Sequence, residues 1–434
     1  MKVCVFGLWH LGSVTAACLA AAGHDVVGVD SDRGVVEGLS RGVPPLFEPG
    51  LAELVQDGLG RGQLRFSSDL AQAADADVVW IAIDTPVDEE DRADVDAVVR
   101  GTSALFPYLR DRSLVLISSQ VAVGTTRRVA DLFAHGAGGR DVAFAYSPEN
   151  LRLGKAIERF THPDRIVVGP VSPVDRETVT SLLRPFSDRL LWMSAESAEM
   201  TKHALNAFLA TSVTFINEIA AVCEQVGAEA ADVERGLKSD DRIGPAAYLS
   251  PGAAFAGGTL ARDVMFLSRI GGERQVSTHL LSAVKTSNDA HRQWPQRRLR
   301  EILGDLNGTA IAVWGLTYKP GTDTLRRSSA VELCRWLHAR GARVRAHDPA
   351  ISALPTALAP AVDLLRDPLE AVRGAAALVV ATAWPEYREI PAQQVAARMA
   401  GTLVLDANRF LAGSLGEHPG LRYVSVGVSG AVHA

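Results

Sequence analysis

The chain has 434 residues, too many for one hydrophobic core, so two or three domains are expected. Hydrophobic residues make up 47% and charged residues 22%, an ordinary globular balance, and the net charge of −6 comes with no basic block. With only 6% aromatics as well, a nucleic-acid surface is not expected, whereas a small anionic ligand could still find a local basic pocket.

The first third alternates strands and helices. Val3–Phe6 is a short apolar run suited to a strand buried on both faces. Leu11–Ala22 reads as a small-residue helix ended by Gly23, and Asp25–Val29 as the next strand, closing at Asp30. Further strands are expected at Val78–Ile83, Leu114–Ile117 and Val142–Tyr146, with helices at Leu51–Gly58 and Asp94–Leu105. Strict alternation predicts a parallel sheet covered on both faces. From Glu196 to about Gly227 the apolar residues spread over more than one stripe, as in a helix buried on several sides. Such a helix suits a core, a junction between domains, or a dimer interface. The last third restarts the alternation with strands at Thr309–Trp314, Arg343–Ala346, Leu378–Ala381 and Leu403–Leu405 and a helix at Ala330–Arg340. Its opening, AIAVWGLTYKPG, echoes the N-terminal KVCVFGLWHLG, and each is followed by a glycine, a strand and an aspartate. The expected fold is therefore α/β, with two Rossmann-like doubly wound domains joined by a long central helix and a helical region. The boundaries fall at 1–195, 196–300 and 301–434.

Cys4, Cys18, Cys223 and Cys334 lie in apolar runs and form no C-x-x-C pair, so neither a metal site nor a disulfide framework is expected. The chain enters a strand without a basic segment and cleavage site, and no run reaches the roughly 18 apolar residues of a bilayer crossing. A cytoplasmic protein with no membrane partner is expected.

Gly7-Leu8-Trp9-His10-Leu11-Gly12 stands where a G-x-G-x-x-G dinucleotide fingerprint belongs, between the first strand and first helix. Gly7 permits the tight turn, Gly12 the close helix–strand approach, and the helix N-terminus can hold a pyrophosphate. Asp30 is placed to accept the ribose hydroxyls of NAD and to repel the 2′-phosphate of NADP. Trp9 replaces the middle glycine, so its side chain must point away or the cofactor must shift. On this turn alone, a Rossmann-like domain that no longer holds cofactor tightly is the competing reading.

Over nearly its whole length the chain resembles the UDP-glucose/GDP-mannose dehydrogenase family. The resemblance is carried in order by Pro44-Pro45-Leu46-Phe47-Glu48-Pro49-Gly50-Leu51, Asp84-Thr85-Pro86, Ser119-Gln120-Val121-Ala122-Val123-Gly124-Thr125-Thr126 and Ser147-Pro148-Glu149-Asn150-Leu151-Arg152. It continues through Lys202 with Asn206, Arg242-Ile243-Gly244, Pro251-Gly252, Gly315-Leu316-Thr317-Tyr318-Lys319-Pro320, Asp323, Arg326, Ser328, His347-Asp348-Pro349 and Trp384. The family's activity implies oxidation of a nucleotide-sugar alcohol with NAD. The resemblance places the cofactor on Gly7, Trp9, His10, Leu11, Gly12, Asp30, Arg33, Thr85, Pro86 and Gln120. It places the sugar nucleotide on Glu149, Leu151, Arg152, Lys202, Asn206, Arg242, Tyr248, Gly257, Gly258, Lys319 and Arg326. Lys202 and Asn206, four apart on one helix face, would stabilise an alkoxide as hydride leaves. Glu149 would handle water and protons, Gln120 and Asp263 complete the catalytic set, and Arg242 reaching a neighbouring subunit implies a homodimer.

One departure dominates. The family's loop F-G-G-x-C-x-x-K-D reads here Phe255-Ala256-Gly257-Gly258-Thr259-Leu260-Ala261-Arg262-Asp263, so Thr259 stands at the cysteine and Arg262 at the lysine. Leu153 stands where many relatives carry another glutamate, and Trp9 is the third departure. Passing from aldehyde to acid through a thioester needs a thiolate, and a threonine hydroxyl is far less acidic. The expectation is an NAD-dependent oxidation of a nucleotide sugar that stops at the aldehyde or ketone. The alternatives are full oxidation through a hydrated aldehyde, a redox-neutral NAD-using epimerase, and a non-catalytic nucleotide-sugar binding protein.

Overall fold

The computed structural model describes residues 1–88, 93–136, 139–149, 151–172, 176–256 and 258–428. The chain divides into two compact units, Met1–Ala204 and Leu205–Ala434.

The first unit holds eight strands: β1 Lys2–Phe6, β2 Asp25–Val29, β3 Leu64–Ser67, β4 Val78–Ile81, β5 Leu114–Ile117, β6 Ala143–Tyr146, β7 Ile166–Pro170 and β8 Leu190–Trp192. They form one sheet in the order β3-β2-β1-β4-β5-β6-β7-β8. The order reverses at β1, which pairs with both β2 and β4 and so creates the crevice where a doubly wound sheet binds its ligand. Every residue of β4 and β5 is buried, as expected of strands covered on both faces. The expectation of a purely parallel sheet needs one correction, since β6 and β7 run antiparallel. The segment linking them, with the short helix Ala156–Thr161, returns the chain beside β6 instead of crossing over.

The second unit begins inside the Ala195–Val226 helix, a continuous 32 residues. Its Ala207 and Ala210 pack with Val264 of the Thr259–Glu273 helix and Val284 of the His279–His291 helix. A second sheet follows, built from β9 Ala310–Trp314, β10 Arg343–His347, β11 Asp363–Leu364, β12 Ala377–Val380, β13 Leu403–Leu405 and β14 Arg422–Val424. Its order is β11-β10-β9-β12-β13-β14, parallel at each pairing.

The Ala195–Val226 helix also corrects the expectation that no segment could cross a bilayer, because by length and composition it is long and apolar enough. Asn206, Thr211, Ser212 and Thr214 interrupt any strictly apolar run, yet residues 203–217 carry no Asp, Glu, Lys or Arg. Glu199, Lys202 and His203 are nevertheless buried on this helix and bonded to neighbouring loops, as in a core helix.

The internal repeat extends to individual atoms. In the first unit the Gly7 N–H donates to Val29, the Leu8 N–H to the Asp30 carboxylate, and the Ser13 hydroxyl to the Leu8 carbonyl. In the second, the Gly315 N–H donates to His347, the Leu316 N–H to the Asp348 carboxylate, and the Ser328 hydroxyl to the Leu316 carbonyl. Both glycines are left-handed, with φ of 91° and 88°. A Cβ on Gly315 would lie 2.3 Å from the Thr382 side chain and 2.6 Å from its backbone nitrogen. Gly315→Ala is therefore expected to destabilise the second unit by about 2 kcal/mol or more, because clash and backbone strain add. Thermal unfolding should show a Tm lowered by roughly 4–8 °C, and an unchanged Tm would contradict this packing.

Candidate active site

The cofactor-type residues gather at the C-terminal ends of β1, β2, β4 and β5. The His10–Ala21 helix begins at Trp9 without a side-chain cap, which leaves first-turn N–H groups for a ligand. Gly12 has no freedom to change, since a Cβ there would sit 1.6 Å from the Gly7 carbonyl oxygen. Trp9 is 47% exposed, so its indole stands in solvent and leaves the turn open. Asp30 is only partly buried and accepts from Leu8 N–H at 2.6 Å and Asp32 N–H at 2.9 Å. Those two bonds fix its carboxylate while leaving lone pairs for a diol. Thr85 donates its hydroxyl to the Gln120 carbonyl at 2.7 Å, which joins the loops after β4 and β5. Leu11 lies buried in the first helix, Pro86 is exposed beside Thr85, and Arg33 is exposed at the start of the Arg33–Ser40 helix.

Three residues outside the expected cofactor and catalytic set hold this region. Glu48 is buried and accepts from His10 Nε2 at 2.9 Å and from the N–H groups of Gly154 and Ala156, both at 2.8 Å. His10 is thereby tied to protein. Glu199 is fully buried and accepts from the Gly124 and Thr126 N–H groups and the Thr126 hydroxyl, capping the Thr125–Gly136 helix. Burial pushes the Glu199 carboxyl above its usual value, and the bonds from Thr126 and Gly124 pull it back only in part. Asp84 accepts from the Leu11 N–H at 3.4 Å, which puts a carboxylate at the helix N-terminus.

The catalytic-type residues form two groups. In the first unit, the buried Lys202 ammonium donates to the Glu149 carbonyl and lies 3.1 Å from its carboxylate, which also accepts from the Leu151 N–H at 2.7 Å. Leu151 and Glu149 line a cavity, while Arg152 is exposed. In the second unit, the Asn206 amide donates to Asp263, which is fully buried on the Thr259–Glu273 helix. That helix starts at Gly258, whose φ of 106° and ψ of −128° suit glycine alone. A Cβ on Gly258 would lie 3.7 Å from both the Arg327 guanidinium and the Tyr318 hydroxyl. Thr259 is exposed, and no described residue hydrogen-bonds its hydroxyl. Lys319 is partly buried and Arg326 exposed on the segment that carries Tyr318 and Arg327. Arg242 pairs with Asp240 at 2.8 Å, and Tyr248 is half exposed. Gly257 lies outside the described residues.

The four cysteines are buried in the cores, Cys4 and Cys18 in the first unit, Cys223 and Cys334 in the second. Burial pushes the thiols of Cys4, Cys18 and Cys334 up to about 12. No His/Cys/Asp/Glu group suited to a metal occurs among the described residues.

A doubly wound sheet with a glycine turn, a helix whose N-cap residue makes no side-chain bond and a ribose-type aspartate defines a dinucleotide-binding oxidoreductase class, and the residues present fit NAD. Family models match the chain in three stretches: the NAD binding domain of the UDP-glucose/GDP-mannose dehydrogenase family at residues 1–187, its central domain at 196–290 and its UDP binding domain at 312–413. A UDP-glucose 6-dehydrogenase of Pseudomonas aeruginosa is 37% identical, covering 100% of this chain and 99% of its own. One of Rhizobium meliloti is also 37% identical, covering 98% and 99%. Among solved structures, a UDP-glucose dehydrogenase from Pyrobaculum islandicum superposes with a TM-score of 0.83 at 34% identity, covering 90% of this chain and 91% of the other. The chain belongs to the UDP-glucose/GDP-mannose dehydrogenase family. It is an NAD-dependent nucleotide-sugar dehydrogenase acting on a CH–OH group.

Asp84 has a measurable consequence. A pyrophosphate at the first helix's N-terminus would face a carboxylate already drawn to the same dipole. Asp84→Gly is expected to tighten NAD binding roughly threefold to tenfold at low ionic strength, read by calorimetric titration. Unchanged or weaker binding would show that the carboxylate swings clear at no cost.

Proposed function

We propose that the enzyme oxidises one hydroxyl of a UDP-sugar to the aldehyde or ketone and releases it there. The observation that carries this is Thr259 at the position of the nucleophilic cysteine, exposed and without a hydrogen-bonded base, in a chain whose four thiols are buried in cores. UDP-glucose is the first substrate to try, because the 37%-identical relatives are UDP-glucose 6-dehydrogenases. Bound NAD supplies the hydride acceptor. Lys202, oriented by Glu149, places its ammonium at the sugar oxygen and stabilises the alkoxide, with the Asn206 amide oriented by Asp263. Glu149 takes the hydroxyl proton through solvent. Asp30, Gly7, Gly12, Thr85, Pro86 and Gln120, with Trp9, His10, Leu11 and Arg33, hold the cofactor. Lys319 and Arg326 meet the diphosphate, while Leu151, Arg152, Tyr248, Gly257 and Gly258 bound the sugar nucleotide. Thr259 lines the pocket.

The working division is an NAD-binding domain at 1–195, a central domain at 196–300 and a UDP-sugar domain at 301–434. The assembly is a homodimer, supported by a stripe of exposed apolar side chains along one helix: Met200, Phe208, Phe215, Val222 and Val226. Arg242 then reaches the sugar bound by the neighbouring subunit. Unpaired cysteines support a cytoplasmic location.

The deciding test is NADH formed per UDP-glucose consumed, with the product identified by mass spectrometry. One NADH and an aldehyde or ketone are expected; two NADH and an acid would overturn the reading. Thr259→Cys is expected to move the yield from one toward two. Lys202→Ala should lower kcat by about 10² to 10⁴, with stability little changed. Light scattering should give a dimer mass that falls to the monomer in a Phe208→Asp, Phe215→Asp variant.

A further inference from the structure

The cavity beside Glu149 has features that the dehydrogenase reaction leaves unused. It lies in the first unit, and its apolar wall includes Leu11, Trp80, Phe160, Ile166, Leu183 and Phe186. Two polar atoms on the same wall are buried without partners, and a third group beside them lacks a carboxylate. In a helix, a threonine hydroxyl usually bonds back to the carbonyl four residues earlier, as Thr201, Thr211 and Thr214 do here. The Thr15 hydroxyl, fully buried in the His10–Ala21 helix, bonds nothing. The Arg159 Nε is buried without an acceptor. Arg165, just ahead of β7, is partly buried and, like Arg159, is paired with no carboxylate among the described residues. Other arginines of this unit do take one: Arg65 pairs with Asp25, Arg110 with Asp77 and Arg128 with Asp96. The acid on the cavity wall, Glu149, is already engaged by Lys202 and the Leu151 N–H.

A guanidinium nitrogen buried without an acceptor is costly, and the partner that fits an arginine fork is a carboxylate held by two parallel bonds. The aromatic and aliphatic wall suits an apolar body behind that carboxylate. We propose that this cavity binds a small aromatic carboxylate, gripped by Arg159 and Arg165, accepting from the Thr15 hydroxyl, with its ring against Trp80, Phe160 and Phe186. Because Glu149 shares the wall, the occupant adjusts the Glu149–Lys202 pair and so the turnover. This regulatory half rests on the reaction roles given to those two residues above; the binding half does not.

The test is calorimetric titration of the full-length enzyme with phenylacetate, benzoate and inorganic phosphate, followed by initial rates of NADH formation from UDP-glucose. One phenylacetate or benzoate per chain is expected, bound more tightly than phosphate. An Arg159→Leu, Arg165→Leu variant should lose affinity at least about tenfold, while its rate without added acid stays at the wild-type level. Thr15→Val, a near-isosteric change, should weaken binding about threefold or more and serves if the double variant does not fold. No saturable binding, equal affinity in these variants, or phosphate binding as tightly as phenylacetate would each overturn the site. Binding that leaves kcat and KM unmoved overturns the regulatory half alone. An enzyme that turns over UDP-glucose normally but binds neither aromatic acid sinks this inference and leaves the proposed reaction standing.

Discussion

The close approach of backbone to backbone at the first turn of each Rossmann-like sheet is the constraint from which the rest of the structure follows. A left-handed glycine ends the first strand, and the next N–H points into the carboxylate that ends the second strand. In the first unit, any side chain at Gly12 would strike the Gly7 carbonyl. This contact sets the depth of the crevice above β1 and β4, and with it where a dinucleotide can lie. The two copies then diverge through one carboxylate. Asp30 keeps part of its surface open, whereas Asp348 is sealed by Thr317 and by the Trp384 indole at 3.1 Å. An aspartate whose acceptor sites are filled by protein cannot serve a ribose diol, so the repeated scaffold carries one dinucleotide-type site rather than two.

The second constraint is electrostatic and runs along the Ala195–Val226 helix. Within five residues it buries Glu199, Lys202 and His203, which bond two segments at the C-terminal edge of the first sheet, the one after β5 and the one after β6. Glu199 caps the helix after β5, His203 holds the Val121 carbonyl, and Lys202 meets Glu149 after β6. Burying polar groups is unfavourable unless they are hydrogen-bonded, and each of these groups has its partner. The helix thus positions the ammonium proposed for catalysis by the same contacts that keep it in place.

Much of this was legible in the sequence because it depends on local pattern. The Asp25–Val29, Leu114–Ile117 and Leu403–Leu405 strands have the bounds expected from apolar runs, and the long helix differs by about one residue at each end. The less apolar β3, with Arg65 and Ser67, and the very short β8 and β11 went unanticipated because polar residues or mere brevity weaken their signal. The antiparallel join of β6 and β7 has no local signature, since direction is decided by how the chain returns. Within the site, the motif residues were readable, Glu48 and Asp84 among them, but the partners they bond were not. Glu48 acts on residues more than 100 positions away, Glu199 on residues more than 70 away, and Asp84 on Leu11 across a similar gap. A carboxylate's partner over such distances is a property of the fold, and no spacing rule announces it.

The proposed chemistry turns on which machinery the chain retains. The two residues proposed for hydride removal are each anchored within their own unit, Lys202 by Glu149 and Asn206 by Asp263. The loop backbone that would present a nucleophile is also present, down to the glycine-only conformation of Gly258 at the helix start. What differs is the atom presented. A hydroxyl on an exposed first-turn residue with no base bonded to it has none of the acidity that lets a thiol attack a carbonyl near neutral pH. A helix N-terminus would favour an anion at that point, yet its contribution of about 1 kcal/mol or less is small beside the gap between an alcohol and a thiol. Geometry retained with the nucleophile withdrawn is the pattern expected of an enzyme that still removes the first hydride and lets the carbonyl go.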